Sequence, residues 1–276
     1  MLLFRLLLLV LLSPVLLAAP QGQTQTPSVE PNLTEEEMRQ FLLTADVVKS
    51  KTTKKGVTRP YVLTLRSKDG SLTHDAGFQS VDIDKPFEKF DDGTTEISFR
   101  DTYHFNIAAY EIAKLLGLER MMPVTVERKW SGKTGSLTWW LNTQMDERER
   151  IEKKIHPPDV EAWNRQMYRK RIFAMLVYDK DINLTNVMIG PNWELYMIDF
   201  TRAFRKHEKL PNPKELARGD RQLLEKLRLL TREDVKRVTG SHLMDGEIKA
   251  LMIRRDLILK HFEQLVKEKG EAEVLY

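Results

Sequence analysis

The 276-residue sequence contains no cysteine. This absence excludes disulfide bonds, zinc sites built on thiolates, thiol nucleophiles and a lipid anchor attached through an N-terminal cysteine. The length is ample for a real core, either in one two-lobed domain or in two small ones. Without covalent cross-links, the stability of the fold must come from packing alone.

The sequence also lacks a strong charge of either sign. Lys and Arg number 44 and Asp and Glu number 40, which gives a net charge of +4. The two signs are interspersed along the chain, so no nucleic-acid-binding surface is indicated. No internal repeat is apparent, and the apolar fraction of 41% is ordinary for a globular protein.

The longest apolar run lies at the N-terminus and is short for a transmembrane helix. It covers Leu6–Leu17, follows the lone charge of Arg5 and is broken by Pro14, whereas a bilayer-spanning helix needs about 20 residues. We predict that residues 1–19 form a signal peptide for export, with an uncleaved N-terminal anchor as the alternative. Residues 20–34 are polar and rich in Gln, Thr and Pro, which predicts a disordered linker. The expected location is therefore the periplasm, the medium or a secretory lumen, and any membrane contact would be through the N-terminal segment.

Apolar periodicity and turn signals divide the rest of the chain into a β-rich first half and a helical second half. In the first half the predicted strands are Ala45–Ser50, Tyr61–Arg66 and Leu72–Val81 in a three-stranded antiparallel sheet, and Val124–Trp130 and Ser136–Leu141 in a hairpin. The predicted helices are Glu35–Leu43, Ser98–Leu116, Asp159–Tyr178, Asp220–Leu230, Thr231–Val238 and Leu243–Gly270. Asp82–Thr95 and Thr143–Pro158 are charged and predicted to be irregular. The pattern favours an α+β protein of two lobes, with an N-lobe over residues 35–142 and a C-lobe over residues 143–276.

The stretch from Val177 to Phe204 reads as loop, strand, turn, strand and loop. Its turn contains Gly and Pro, so the two short strands should form a hairpin. A hairpin returns the chain to its starting edge, and Asp199 should therefore come back beside Asp181 and Asn186. Carboxylate and amide oxygens of this kind suit Mg²⁺ or Mn²⁺ that carries phosphates.

The same residues have the spacing of two protein-kinase motifs. Kinases carry D-x4-N in the catalytic loop and D-F-G after the next hairpin. Asp181 and Asn186 are spaced as D-x4-N, and Asp199-Phe200-Thr201 stands at the second position. The alternative is a surface loop with unrelated polar residues, because D-x4-N alone recurs by chance. Two motifs joined by a hairpin of suitable length favour the kinase interpretation.

Three segments together resemble a group of atypical kinases. They are Asn106–Pro123 with its N-I-A-A-Y and L-G-L pattern, Asp181–Asn186, and Ile198–Phe204 with the pattern I-D-F-T-R-A-F. The group comprises the HipA-type kinases, the secretory-pathway Golgi casein kinases and bacterial phosphatidylinositol-kinase-like proteins. The resemblance implies a bilobal protein-kinase-like fold and the use of ATP, or another nucleotide, with Mg²⁺ or Mn²⁺.

Two positions depart from the family pattern on the nucleotide side of the site. The family has a strand Lys paired with a helix Glu, whereas this sequence has Gln79 and Asn106. The exchange is neutral in charge, and the two amides can still hydrogen-bond to each other. Lys85 and Lys89 could supply a phosphate contact from the next loop, although the alignment does not support them. The alternative is a wrong strand register, in which another lysine fills the role.

The resemblance also implies a role for each remaining candidate. Asp181 would accept the proton of the substrate hydroxyl, and Asn186 and Asp199 would hold one or two divalent ions. Arg202 would offset charge on the phosphates, with a structural salt bridge as the alternative. The function predicted is a kinase-like phosphotransferase acting on a hydroxyl of a protein, lipid or sugar. The alternative is an exported pseudokinase that binds a nucleotide or a partner protein without turnover.

Trp139 and Trp140 end a predicted strand at the position of the hinge between the lobes. In a kinase-like fold this position lies beside the adenine of the nucleotide. Paired tryptophans also serve in core and rim packing. The sequence leaves both interpretations open.

Overall fold

The computed structural model describes residues 33–53, 60–179 and 183–276. The predicted signal peptide, most of the predicted linker and the candidate base Asp181 lie outside these ranges. Within the described ranges, no helix combines the length and the apolar character needed to cross a bilayer.

The first elements within the described residues are a capped helix and three antiparallel strands. Thr34 accepts a hydrogen bond from the backbone of Glu37, whose carboxylate accepts one from the backbone of Thr34. This capping box supplies partners for the free N–H groups at the helix start. The elements are α1 (Glu35–Thr44), β1 (Asp46–Thr52), β2 (Tyr61–Arg66) and β3 (Thr73–Gln79).

A separate two-stranded hairpin then leads to a helix, at a point where the sequence-based prediction was wrong. The elements are β4 (Asp82–Lys89), β5 (Thr95–Thr102) and α2 (His104–Leu115). The segment Asp82–Thr95 is thus mostly strand rather than irregular, and the helix predicted from Ser98 begins six residues later. Strand β4 is rich in Asp, Glu, Lys and Pro, residues with low strand propensity, so only its pairing with β5 stabilises it as a strand.

The next two strands complete the main sheet. They are β6 (Thr125–Trp130) and β7 (Lys133–Trp139), and the strand order is β1-β2-β3-β7-β6 with antiparallel neighbours throughout. The three predicted strands and the predicted hairpin therefore form one sheet, because β7 pairs with β3. This pairing brings Gln79 opposite Ser136.

The second half of the chain is mainly helical. Its elements are β8 (Met145–Asp146), α3 (Glu147–Glu152), α4 (Val160–Val177), β9 (Val187–Ile189), β10 (Leu195–Met197), α5 (Arg221–Leu229), α6 (Arg232–Thr239), α7 (Asp245–Lys269) and α8 (Glu271–Val274). The predicted connector Thr143–Pro158 contains β8 and α3, so it is more ordered than its charge suggested. The α+β arrangement predicted from the sequence is confirmed.

A buried arginine ties the helical half to the loops of the candidate site. Arg254 of α7 is fully buried. It donates hydrogen bonds to the carbonyl oxygen of Leu176 at 2.8 Å, of Arg205 at 2.9 Å and of His207 at 2.6 Å. The end of α4 and the segment after Asp199 are therefore held by one side chain.

Candidate functional site

The β9–β10 hairpin brings Asn186 and Asp199 together. Met197 pairs with Val187, and the backbone N–H of Ile198 donates to the carbonyl oxygen of Asn186 at 3.0 Å. Asp199 is the next residue, so its backbone lies beside Asn186. The predicted return of the hairpin is confirmed for these two residues, whereas Asp181 lies outside the described ranges.

Asp199 has an unusual backbone conformation. Its φ is 62°, in the left-handed region that non-glycine residues seldom adopt. The carboxylate of Asp199 accepts a hydrogen bond from the hydroxyl of Thr201 at 3.3 Å. Such conformations occur at functional sites, where the surrounding structure maintains a side chain in a required direction.

The chemistry of the donors here suits a hard divalent cation. Asn186 and Asp199 offer an amide oxygen and a carboxylate, the ligand types of Mg²⁺ and Mn²⁺. The amide nitrogen of Asn186 is buried and has no hydrogen-bond partner within the described ranges. Those ranges contain no group of three or more His, Asp or Glu side chains that could hold a metal ion. The two residues therefore fit as part of a ligand set, and the other ligands would come from phosphates, water or Asp181.

A cluster of amides links the two halves of the site. Asn106 of α2 is 7% exposed, and its amide nitrogen donates to Gln79 Oε1 at 2.5 Å and to Ser136 Oγ at 3.2 Å. Its amide oxygen accepts from the backbone N–H of Phe200 at 2.7 Å. The hydrogen bond predicted between the two replaced positions is therefore present, and the residue after Asp199 is attached to the same amide.

The alternative strand register is not supported by these contacts. Gln79 is the β3 residue that reaches the helix, and the ammonium of Lys85 pairs instead with Glu88 at 2.6 Å. Glu111, five residues after Asn106 on α2, pairs with Arg39. Sequence reasoning did not identify Ser136, because its place opposite Gln79 depends on the pairing of β7 with β3.

Arg202 takes part in a buried ion cluster. Its guanidinium lies 3.0 Å from Glu96 of β5 and over the rings of Phe90 and Phe99. Arg205 Nη2 lies 2.8 Å from the other carboxylate oxygen of Glu96, an ion pair whose geometry is not that of a hydrogen bond. Burial lowers the pKa of Arg205. Arg202 is thus engaged in a structural salt bridge, the alternative that the sequence had left open. No signal in the sequence identified Glu96, which lies on the β5 strand that was not predicted.

A small cavity beneath Asn186 contains a lysine. Its polar lining is Lys170 of α4, Asp179, Asn183 and Asn186, and the remaining lining residues are Ala174, Val187, Met197, Ile198 and Phe200. Burial lowers the pKa of Lys170, and the nearby carboxylate of Asp179 opposes this shift. Sequence reasoning missed Lys170, although it lies three residues after Met167 on a helix face predicted to point inward.

The fold has relatives among solved kinase structures. A hydra Fam20 structure with sugar aligns with a TM-score of 0.61 at 14% identity, covering 90% of this chain and 93% of the other. The Golgi casein kinase aligns with a TM-score of 0.61 at 13% identity, covering 87% and 78%. The Helicobacter pylori proinflammatory kinase CtkA aligns with a TM-score of 0.50 at 10% identity, covering 83% and 98%. No protein-family model and no curated sequence matches the chain.

These likenesses show the fold. The chain has a bilobal protein-kinase-like fold, with an antiparallel β-rich N-lobe and a larger helical C-lobe. The resemblance to atypical kinases predicted from the sequence is confirmed at this level. Function must be argued from the site, because one fold hosts many activities.

Proposed function

We propose that this protein is an exported, kinase-like phosphotransferase that uses a nucleotide with Mg²⁺ or Mn²⁺. The observation that carries the proposal is the arrangement around the β9–β10 hairpin. The Ile198–Asn186 hydrogen bond places Asp199 beside Asn186, and the Phe200–Asn106 hydrogen bond attaches this segment to α2. The candidate metal ligands Asn186 and Asp199 are thereby connected, through Asn106, to Gln79, the β3 residue at the position of the family's phosphate-binding lysine.

Each residue would have a defined part in the transfer. Asp181 would accept the proton of a substrate hydroxyl while the hydroxyl oxygen forms a bond to the terminal phosphorus of the nucleotide. The bond from that phosphorus to the oxygen of the leaving phosphate breaks in the same step. Asn186 and Asp199 would hold the cation, which would supply positive charge to offset the negative charge of the phosphates. The protein contributes mainly positioning and electrostatics. The acceptor would be a hydroxyl of a protein, a lipid or a sugar. A sugar is included because the similar hydra Fam20 structure was solved with sugar.

The Gln79–Asn106 amide pair should bind phosphate more weakly than the family's lysine would. Gln79 and Asn106 are neutral, so they form no cation clamp on the nucleotide. Arg202 does not replace that clamp, because its guanidinium is engaged by Glu96 at 3.0 Å. We expect slow transfer that depends strongly on the metal.

A pseudokinase is the second candidate, and the Gln79–Asn106 hydrogen bond favours it. A hydrogen-bonded amide pair stabilises the lobe without presenting charge to a phosphate. In that case the protein would bind a nucleotide or a partner protein and would not turn over.

The proposal includes export and a two-lobe division. Residues 1–19 would serve as signal peptide or anchor, residues 20–34 as linker, residues 35–142 as N-lobe and residues 143–276 as C-lobe. The name of the Golgi casein kinase places that relative in the secretory pathway, which accords with an exported protein.

The test is thermal unfolding with ATP and Mn²⁺ or Mg²⁺, followed by an autophosphorylation assay. At a ligand concentration 100 times the Kd, binding should stabilise the protein by about 2.7 kcal/mol. Asp199→Ala should abolish this shift, because it removes the carboxylate donor. Asp91→Ala removes a carboxylate from an exposed turn of the β4–β5 hairpin and should leave the shift intact.

The outcomes separate the candidates. A shift with phosphate transfer supports the kinase, and a shift without transfer supports the pseudokinase. Absence of a shift with either metal would exclude nucleotide binding and with it the proposal.

A further inference from the structure

Asp199 and Phe204 both have strained backbone conformations. Asp199 has a φ of 62° and Phe204 a φ of 56°, both in the left-handed region. Non-glycine residues adopt this region only where the surrounding structure maintains it. We call residues 200–205 the post-Asp199 segment. The contacts of this segment therefore decide whether Asp199 keeps its conformation and the direction of its carboxylate.

Strand β5 contacts the post-Asp199 segment through backbone groups at two places. The N–H of Thr102 donates to the carbonyl oxygen of Thr201 at 2.9 Å. The guanidinium of Arg205 donates to the carbonyl oxygen of Arg100 at 2.8 Å. Since Thr201 is two residues after Asp199, the first of these bonds fixes the backbone close to the candidate metal ligand.

The carboxylate of Glu96 on β5 contacts both arginines of the segment. Glu96 is 5% exposed. One of its oxygens accepts from Arg202 Nη2 at 3.0 Å, and the other lies 2.8 Å from Arg205 Nη2. A buried carboxylate needs partners of opposite charge, and two guanidinium groups so close together would repel each other without it. Glu96 therefore holds the segment at two points.

An irregularity in β5 directs both Glu96 and Phe99 towards these arginines. Residues three apart on a regular strand lie on opposite faces. Ser98 has a φ of 55°, which interrupts the alternation, and Glu96 and Phe99 are both buried. The centre of the Phe99 ring lies 5.3 Å from the guanidinium carbon of Arg202 and 5.5 Å from that of Arg205. The two arginines thus rest on a carboxylate and a ring of the same strand.

Strand β5 is itself anchored to the helical half of the chain. Arg100 forms an ion pair with Glu247 of α7, a residue that is 1% exposed. Directly after β5, the N–H of Tyr103 donates to the carbonyl oxygen of Val81 at 2.8 Å. Because β5 is held at this end, we expect a change at Glu96 to release the post-Asp199 segment rather than to displace the strand.

We infer that Glu96 is a positioning residue for the candidate metal ligand Asp199 and acts through Arg202 and Arg205. The inference rests on the proposed function and adds the N-lobe contact that keeps the ligand in place. Release of the segment would let Asp199 leave its left-handed conformation, and its carboxylate would then move relative to Asn186. Groups that orient a metal ligand in this way affect metal affinity without touching the ion.

The test measures the affinity for the Mn²⁺ complex of ATP in matched variants. Glu96→Gln keeps the size of the side chain and removes the charge that holds both arginines, so binding should weaken by roughly 10- to 100-fold. Arg202→Met removes one of the two contacts and should weaken binding by a smaller factor. Glu96→Asp keeps the charge but withdraws the carboxylate by one methylene, and it too should weaken binding.

A control variant breaks a comparable ion pair elsewhere. Asp220 is 6% exposed, pairs with Arg169 and caps the start of α5. Asp220→Asn removes a buried charge but retains a good capping residue. It should lower the melting temperature and leave the affinity for the Mn²⁺ complex of ATP unchanged.

The signs of the shifts separate positioning from direct electrostatic effects. If the two side chains acted only through their fields on the cation, Glu96→Gln would weaken binding and Arg202→Met would strengthen it. If Arg202 instead contacted the phosphates, Arg202→Met would weaken binding and Glu96→Gln, which frees Arg202, would strengthen it. Only the positioning role predicts weaker binding in both variants.

The remaining outcomes decide the inference. Unchanged affinity in folded Glu96→Gln or Glu96→Asp, or shifts of opposite sign in Glu96→Gln and Arg202→Met, would overturn the positioning role alone. An equal loss of affinity in Asp220→Asn would also overturn it, because the effect would then follow from lower stability. Failure of the wild type to bind the Mn²⁺ complex of ATP would overturn both the inference and the proposed function.

Discussion

At the scale of single residues, Asn106 is the side chain on which the two halves of the site meet. Its amide contacts β3 through Gln79, β7 through Ser136 and the backbone after Asp199 through Phe200. An amide is suited to this place because it is both donor and acceptor, whereas a glutamate would only accept. The amide pair that stands in place of the family's ion pair therefore has a structural function of its own.

Restoring the family's ion pair gives a quantitative test of this geometry. Gln79→Lys or Asn106→Glu alone should lower the free energy of unfolding by about 2 kcal/mol or more, because each leaves a partly buried charge without a partner. The double variant should recover much of this loss, giving a coupling free energy of about 1–3 kcal/mol in urea denaturation.

A matched control is available on an exposed helix face. Gln222→Lys on α5 introduces the same charge at an exposed position and should change stability by less than about 0.5 kcal/mol. Strict additivity of the two single effects would contradict the observed contact between positions 79 and 106.

At the scale of elements, two histidines connect α2 with the helical half. His104 is the first residue of α2, and His242 lies in the turn between α6 and α7. Their Nδ1 atoms are 2.8 Å apart, so one must donate and the other accept. Glu127 of β6 lies 3.9 Å from His242 Nε2, Asp82 of β4 lies 4.0 Å from His104 Nε2, and the hydroxyl of Tyr103 donates to Glu127.

This contact should make stability depend on pH. Burial lowers the pKa of His242 below its usual 6.5, with Glu127 opposing the shift and His104 adding to it. The unfolded chain then binds more protons than the folded chain as the pH falls. The contribution of His242 to the free energy of unfolding is therefore fully present above about pH 7 and is lost as the pH falls through 6.5 and below. His242→Gln should flatten the fall in melting temperature between about pH 8 and pH 5.

The comparison requires a histidine outside the contact. His156 is exposed, and His156→Gln should leave the wild-type pH profile in place. A His242→Gln profile as steep as that of the wild type would assign the acid sensitivity to other groups.

At the scale of the whole molecule, Arg254 joins segments that are far apart in sequence. It is buried without a carboxylate partner among its hydrogen bonds. Its Nε and Nη1 donate to the carbonyls of Leu176, Arg205 and His207, and its Nη2 has no hydrogen-bond partner within the described ranges. Burial lowers its pKa to about 10, so it remains charged near neutral pH. The same side chain thus positions the end of α4, which leads into the loop of Asp181, and the segment that follows Asp199.

Replacing this arginine should be costly. Arg254→Met fills similar volume but removes the donor to the buried carbonyls of Leu176 and Arg205 and to the partly buried carbonyl of His207. We therefore expect a loss of about 3 kcal/mol or more in the free energy of unfolding. Arg228→Met breaks an exposed pair with Glu225 on α5 and should cost at most about 1 kcal/mol. Equal effects of the two variants in chemical denaturation would contradict the tethering role.

Local signals in the sequence predicted much of this molecule. The capping box at Thr34, the Gly-Pro turn before β10 and the apolar face of α4 all lie within one element or one turn. Strand β4 was missed because its charged residues give no local signal and only β5 stabilises it. The start of α2 was placed too early for the same reason, since Ser98 belongs to β5.

The sequence by itself determined the donor types of the candidate site and the hairpin that unites Asn186 with Asp199, because a short hairpin is encoded by its own turn. Only the tertiary structure decided which side chains surround this pair. Ser136 beside Gln79, Glu96 on Arg202 and the indole of Trp140 over Gly77 are contacts between distant segments. Strand register and packing between elements create those contacts, and no local pattern records them.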